Sequence, residues 1–379
     1  MFEFQRRNLF FQEHYDTKDL AIMGRNTNYF PNDPRIKQAL LDAVARELYH
    51  DYAPPCGLKE LQDLILAEVG TPDLYAWLVD GATEGLYQVM RFFLTAGDEF
   101  VTSDPGYNIT NNFAAHAGAK VIEVPVYDAA CHYKLTPQRL REHLTERTRI
   151  IYVVDPLNPL GSCLSEGEVR EICALAKERG AIVVQDATYR DFAEHQFPAI
   201  RVAPDNAVLL YSFSKSAGFA GFRLGAVIAH PALIDRLTRA QVNNLGSNLI
   251  AQLGAIVALR TKREWLPGVL AKHREHMQTL HDFTHSLPGF QTPIYPSQCN
   301  FLVVDSFESG FHPEYLALEL FKRKIQVRQG SYNTRRFGDR FFRVGTTVPR
   351  EWIDRYCHAL ADIVRGGVPK DFRPEQRLY

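Results

Sequence analysis

Apolar and polar positions switch between two periods along most of the chain. Short β-rich runs, among them Trp77 to Val79, Ile150 to Val154 and Ala181 to Val184, end in polar or turn-forming residues, as buried strands do. Between such runs the spacing becomes helical. Gly81 opens a helix predicted to reach about Leu94, and Thr136-Pro137 starts another, with the hydroxyl as cap and the proline in the first turn. Ser165-Glu166-Gly167-Glu168 has the form of a capping box. The alternation holds from about residue 46 to residue 270 and predicts an α/β fold, a mainly parallel sheet covered by helices. A long periodic stretch from Trp265 to His285 predicts a linking helix. After it come strand-like Phe301 to Val304, a helix around Glu314 to Lys322, strand-like Ile325 to Arg328, a strand through Arg343, and a last helix from Pro349 to about Val364. The first 30 residues read as irregular.

Composition narrows the class. A chain of 379 residues with 46% hydrophobic and 23% charged residues is long enough for one large core and a smaller one. A net charge of -1 supplies no field that would gather nucleic acid or an acidic membrane surface. The six cysteines show no CxxC pair or ligand spacing, so they are expected to be reduced thiols, and no metal site is implied. Arg6-Arg7 is followed by Glu13, Asp16, Lys18 and Asp19 rather than an apolar export core, and no apolar run reaches spanning length, so a cytoplasmic protein is expected.

The most informative stretch runs from Ser212 to Gly225. It sets Lys215 among small residues, with Ser212 and Ser214 before it and Arg223 eight residues after. A lysine amine can form a Schiff base with an aldehyde cofactor such as pyridoxal phosphate, while the hydroxyls and the planar guanidinium fork suit phosphate oxygens. Upstream, the strand ending at Asp186 leads to Tyr189, and the strand ending at Val154 leads to Asn158. Ligands of open α/β sheets sit at such carboxyl ends. Asp186 can pair with a pyridine nitrogen, and Tyr189 and Asn158 can reach a phenolic oxygen. Asp186 also reads as a helix cap, Tyr189 as a core edge and Asn158 as a turn residue. A dehydrogenase of the dinucleotide-binding type would need a GxGxxG after an early strand, which is missing.

From about residue 20 to residue 365 the chain resembles the class I/II, fold type I, pyridoxal phosphate-dependent aminotransferases, closest in layout to the histidinol-phosphate aminotransferase branch. The resemblance rests on the SxSK string at Lys215, the GxRxG end at Arg223, the DxxY pair Asp186 and Tyr189, and the NPxG turn at Asn158. It implies a large domain with a mainly parallel seven-stranded sheet sandwiched by helices, plus a smaller α+β domain. Residues 1-45 would form an arm and part of the small domain, 46-270 the large cofactor domain, and 271-379 the interdomain helix and C-terminal small domain.

By the same resemblance Ala82 and Thr83 give amides to the phosphate at a helix N-terminus, a natural anion seat, and Tyr107 stacks on the cofactor. Arg343, in Phe341-Phe342-Arg343-Val344-Gly345, receives the substrate carboxylate. Tyr52 reaches the phosphate of a neighbouring subunit, which implies a homodimer with shared active sites. Arg328 aligns with a contact to the substrate's distal phosphate and reads also as a structural ion pair, while Asn26, Asn28 and Tyr29 in the arm can face a polar side chain, the asparagines reading also as turn formers. The implied reaction transfers the amino group of an L-amino acid to a keto acid through a Lys215 Schiff base. The chain departs from the family at Leu157 and Leu160, where polar residues are usual, which leaves lyase, cyclase, decarboxylase and oxidase chemistry open. The loop Gln241 to Asn248, which corresponds to one entering the neighbour's site, holds no arginine, against an aspartate-type side chain bound there.

Overall fold

The computed structural model describes residues 15, 17–239, 245–369 and 372; the Arg6-Arg7 pair and Gln241 to Asn244 lie outside the described residues. Its strands, in chain order, are β1 (Ala21–Ile22), β2 (Tyr75–Val79), β3 (Glu99–Asp104), β4 (Lys120–Pro125), β5 (Thr148–Val154), β6 (Ile182–Asp186), β7 (Ala207–Ser212), β8 (Gly225–Ala229), β9 (Phe301–Asp305), β10 (Ile325–Gln326), β11 (Arg328–Gln329) and β12 (Phe341–Gly345). Seven of them form one sheet in the order β2-β8-β7-β6-β5-β3-β4. Every pairing is parallel except the two made by β8, which runs antiparallel to β2 and β7. The near-continuous apolar runs of β5, β6 and β7 follow from burial on both faces.

Helices flank these strands where the patterning places them. Thr136 caps its helix by accepting from the Arg139 amide, and Ser165 and Glu168 close the capping box before the helix Glu166–Glu178. The helix Ala82–Phe93 follows β2, and the linking helix runs from Lys262 to His285. A second hydrophobic core is built around the antiparallel sheet β11-β12-β9 and the helix Arg350–Arg365.

Two local expectations change. The run Ile325 to Arg328 is not one strand but two, β10 and β11, which belong to different sheets. The break falls at Val327, where the N-terminal segment presses in: a Cβ on Gly24 would stand 2.8 Å from the Val327 carbonyl carbon and 2.9 Å from the Arg328 amide nitrogen. The first 30 residues are also not wholly irregular, because β1 pairs in parallel with β10 and seals Ala21 and Met23 into the second core.

Candidate active site

Since β8 alone is reversed, the carboxyl ends of the other six strands and the start of β8 share one edge of the sheet. Each candidate cofactor contact except Tyr52 leaves from that edge. Ala82 and Thr83 follow β2, Tyr107 follows β3, Asn158 follows β5, Asp186 ends β6, Lys215 follows β7 and Arg223 precedes β8. Ala82, Thr83, Tyr107, Asn158, Asp186, Tyr189, Ser212, Ser214, Lys215, Arg223 and Arg328 all line a single cavity of about 350 Å³. Ala82 and Arg223, 141 positions apart, meet there because the sheet gathers its strand ends at one rim, and Arg328 joins them from the other sheet.

Two glycines make the phosphate end possible. Gly81 sits at φ 87° directly before the helix Ala82–Phe93, and a Cβ there would lie 2.4 Å from an Arg223 guanidinium nitrogen. Gly225 faces the Ala82 amide, which an added Cβ would approach to 2.5 Å. The helix therefore begins bare, with no side-chain cap on its first amides, beside a guanidinium. Bare amides at a helix start and an adjacent arginine are a cradle for an anion.

At the centre, Asp186 is buried and held by two donors. The Thr188 amide donates to Oδ1 at 3.0 Å and the Tyr152 hydroxyl to Oδ2 at 3.0 Å. Burial pushes its carboxyl above the ordinary value, against those hydrogen bonds and the nearby Lys215 charge. Lys215 carries the opposite perturbation. Burial, then the Arg343 charge, pulls its amine down to about 8, with Arg223 and Arg328 adding to the effect and Asp186 opposing it. A lysine in that range supplies free amine near neutral pH, as a nucleophile or proton carrier needs.

The opposite wall includes Arg328 from the second core's sheet; Arg343 is not among the lining residues and meets the cavity through the lining residue Asn158. Arg343 on β12 and Arg328 on β11 are register partners, both buried. Arg343 Nη1 donates to Asn158 Oδ1, its Nη2 donates to the Gly24 carbonyl at 3.4 Å, and its guanidinium lies 4.7 Å from the Phe301 ring centre. Its Nε has no hydrogen-bond partner among the described residues. Burial, with Arg328 alongside, pulls the guanidinium down to about 10. Arg328 stacks 4.4 Å from the Tyr332 ring and donates through Nε to the same Gly24 carbonyl at 3.3 Å. Asn26 is buried, with its Nδ2 donating to the Tyr189 hydroxyl at 3.1 Å.

Some candidates lie elsewhere. Tyr52 is 75% exposed and does not line the cavity. Asn28 is turned to the Ser216 carbonyl at 2.8 Å, and Tyr29 packs on Trp352, so neither lines the cavity. Leu157 and Leu160 are buried in the large core. Four polar lining residues were not singled out in the sequence, Arg25, Thr27, Thr188 and Tyr332, nor was Tyr152 behind Asp186. Arg25 and Thr27 flank Asn26 and were within reach of its argument; Tyr152 is one apolar-run tyrosine among several and carries no local signal.

These residues fit pyridoxal phosphate. The cavity pairs an amine held near neutrality with an anion cradle at one end and a buried carboxylate at its base, and Arg343, hydrogen-bonded to the lining residue Asn158, keeps a donor with no partner among the described residues. A phosphate, a protonated ring nitrogen and a carboxylate would complete those three groups.

Comparison with known proteins agrees. The family described as aminotransferase class I and II matches residues 18–360. The chain is 28% identical over 354 residues to histidinol-phosphate aminotransferase of Methanocaldococcus jannaschii, covering 92% of this chain and 90% of that protein. It is 27% identical over 369 residues to aspartate aminotransferase of Pyrococcus abyssi, covering 92% of each. The solved structure of N-succinyldiaminopimelate aminotransferase from Mycobacterium tuberculosis superposes with a TM-score of 0.85 at 21% identity, over 94% of this chain and 97% of that one. Among the described residues no helix is long and apolar enough to cross a membrane. With its six-ended rim, its reversed strand and a family match across nearly its whole length, the chain belongs to the class I and II aminotransferases, fold type I enzymes that work with pyridoxal phosphate.

Proposed function

We propose that Lys215 is the covalent anchor and proton carrier of this aminotransferase and that Arg343 reads the α-carboxylate of its substrate. The observation that carries this is Lys215 buried in a cavity lined by Arg25, Arg223 and Arg328, with Asp186 the one carboxylate among the described lining residues, a setting that lowers the amine's basicity. The cofactor, when bound, supplies an electron sink for the pair released at the substrate Cα and a carbonyl that carries the amino group from donor to acceptor. Lys215 Nζ accepts the Cα proton and later returns it. Asp186 stabilises positive charge at the cavity base, and the hydrogen bonds from Thr188 and Tyr152 hold it in place. Arg223, the Ala82 and Thr83 amides, Ser212 and Ser214 would hold the cofactor's phosphate, Tyr107 would pack against its ring, and Asn158 and Tyr189 would donate to its phenolic oxygen.

Arg343 Nε is buried and has no hydrogen-bond partner among the described residues, so it gains most from a carboxylate oxygen. Arg328, Tyr332 and Arg25 extend the positive wall beyond it, and Asn26 fixes the Tyr189 hydroxyl. That wall favours a substrate with a second acidic group, a reading in keeping with relatives named for histidinol phosphate and for aspartate. The active unit is a homodimer in the cytoplasm. Leu41, Val44, Tyr49 and Tyr52 form an exposed apolar stretch on and after the helix Pro34–Ala45, and this stretch meets a second copy and delivers Tyr52 to its phosphate. The large sheet with its helices, residues 46-270, acts as the cofactor domain, and the segments on either side act as the small domain.

The test is borohydride reduction of the holoenzyme followed by peptide mass spectrometry. The reduced cofactor is expected on Lys215, and Lys215→Ala is expected to lose both that adduct and turnover. An adduct on another lysine, or turnover retained by Lys215→Ala, overturns the proposal.

A further inference from the structure

Behind the Lys215 loop, away from the cavity, lies a compact group of two acids and two bases that the chemistry above does not use. Glu68 ends the helix Lys59–Val69, Arg190 and Asp191 follow Tyr189, and Lys262 begins the linking helix. Lys262 Nζ lies 2.8 Å from Glu68 Oε1 and 2.5 Å from Asp191 Oδ1, and Arg190 Nε lies 3.2 Å from Glu68 Oε1. Two positive and two negative charges cancel, so the quartet is neutral as a unit and each charge is met at contact distance.

Apart from an Arg190 Nη1 hydrogen bond to the Ala187 carbonyl at 3.4 Å, its side-chain connections go to the end of β7 and the Lys215 loop. Arg190 Nη1 donates to the Ser212 carbonyl at 3.1 Å, three residues before Lys215, and the guanidinium lies 3.4 Å from the Tyr211 ring centre. The Tyr211 hydroxyl donates to Glu68 Oε1 at 3.0 Å. On the far side, the Ser216 hydroxyl donates to Asp191 Oδ2. Lys215 is therefore gripped from behind on both flanks, by a group tied to the start of the linking helix.

We propose that the Glu68, Arg190, Asp191 and Lys262 quartet is a positioning device for Lys215, holding the loop so that the amine points into the cavity along one direction. Without it, the Lys215 loop would keep the anchor residue but let the amine sample orientations that miss the substrate Cα. Misplacement on the scale of an ångström lowers the rate of a proton transfer without weakening substrate binding. The inference rests on the role given to Lys215 above.

Two substitutions test it, Ser216→Ala, which removes only the gripped hydroxyl, and Asp191→Asn, which removes the charge that grips. In the holoenzyme kcat is expected to fall about tenfold in either variant while KM changes by less than about twofold, the signature of a lost transition-state interaction. In the cofactor-free protein, amide exchange across residues 213 to 219 is expected to accelerate by about tenfold and exchange elsewhere to stay as in the parent. Ser216→Thr, which keeps a hydroxyl, is expected to recover both readouts. Faster exchange with unchanged kcat, or a fall in kcat that Ser216→Thr does not recover, overturns the proposal. Borohydride trapping on the parent protein separates this from failure of the Lys215 assignment, because an adduct at Lys215 leaves that assignment standing whatever the variants do.

Discussion

Replacing Arg343 by methionine should produce opposite effects on catalysis and on the stability of the cofactor-free protein. The side chain is 4% exposed, its Nε has no partner among the described residues, and its guanidinium is pulled down to about 10 by burial and by Arg328 on the adjacent strand. In the substrate complex the lost interaction is a charge-assisted hydrogen bond in a dry site. Truncating one partner of such a buried pair costs about 2 to 5 kcal/mol. At 1.36 kcal/mol per decade that is a fall in kcat/KM of roughly 30-fold to a few thousand-fold. In the empty protein the same change removes a cation crowded by another cation, and methionine fills much of its volume. The urea midpoint of the cofactor-free variant should match or exceed that of the parent. The assay is steady-state kcat/KM for the preferred amino acid, together with urea unfolding of the apo form and the borohydride adduct at Lys215, which should persist. A kcat/KM within about threefold of the parent would refute the carboxylate role, since even one weakened charged hydrogen bond exceeds that.

Two further outcomes follow from the perturbed lysine and from a cap. Lys215 has a folded value of about 8 against an ordinary 10.5, so below pH 8 the folded apo-protein bears the full penalty of a crowded charge, and between 8 and 10.5 the unfolded chain holds more protons and stability rises with pH. Lys215→Met should thus be more stable than the parent apo-protein near pH 7, by up to about 3 kcal/mol and less where cavity water screens the amine, with the gap closing by pH 10.5. Urea melts across that range check it, and a gap that is constant with pH would contradict it. Ser165→Ala opens the capping box of the helix Glu166–Glu178 and should lower unfolding free energy by about 1 kcal/mol with kcat unchanged.

Much of this site was legible because the chemistry is punctuated by strand ends. A buried strand announces itself by an apolar run, its end by the first polar residues, and Asp186, Asn158 and Lys215 all stand within a few residues of such an end. The caps at Thr136 and Ser165 are similarly local, since a hydroxyl and its amide lie three residues apart. What stayed hidden is non-local. Nothing near Ile325 says that the chain must change sheets two residues later, because the cause is Gly24, some 300 positions upstream. Tyr332 and Arg25 reach the cavity from an irregular turn and from the N-terminal segment, whose course is set by a parallel pairing of only two residues. Leu157 and Leu160 read as an altered lining and are core packing instead, buried in the large core and absent from the cavity lining.

The two halves of the cavity have separate foundations. Lys215, Asp186, Asn158 and Arg223 are anchored at the rim of the large sheet, whereas Arg343 and Arg328 stand on β12 and β11, packed on another core, and share the Gly24 carbonyl with the N-terminal segment. A change that shifts β11 against β12, or re-seats Gly24, moves Arg328 and Arg343 while Lys215 keeps its own foundation, the Arg343–Asn158 hydrogen bond being the link between the two. Selectivity can then be retuned like an interchangeable jaw closing on a fixed anvil, by substitutions nowhere near the lysine.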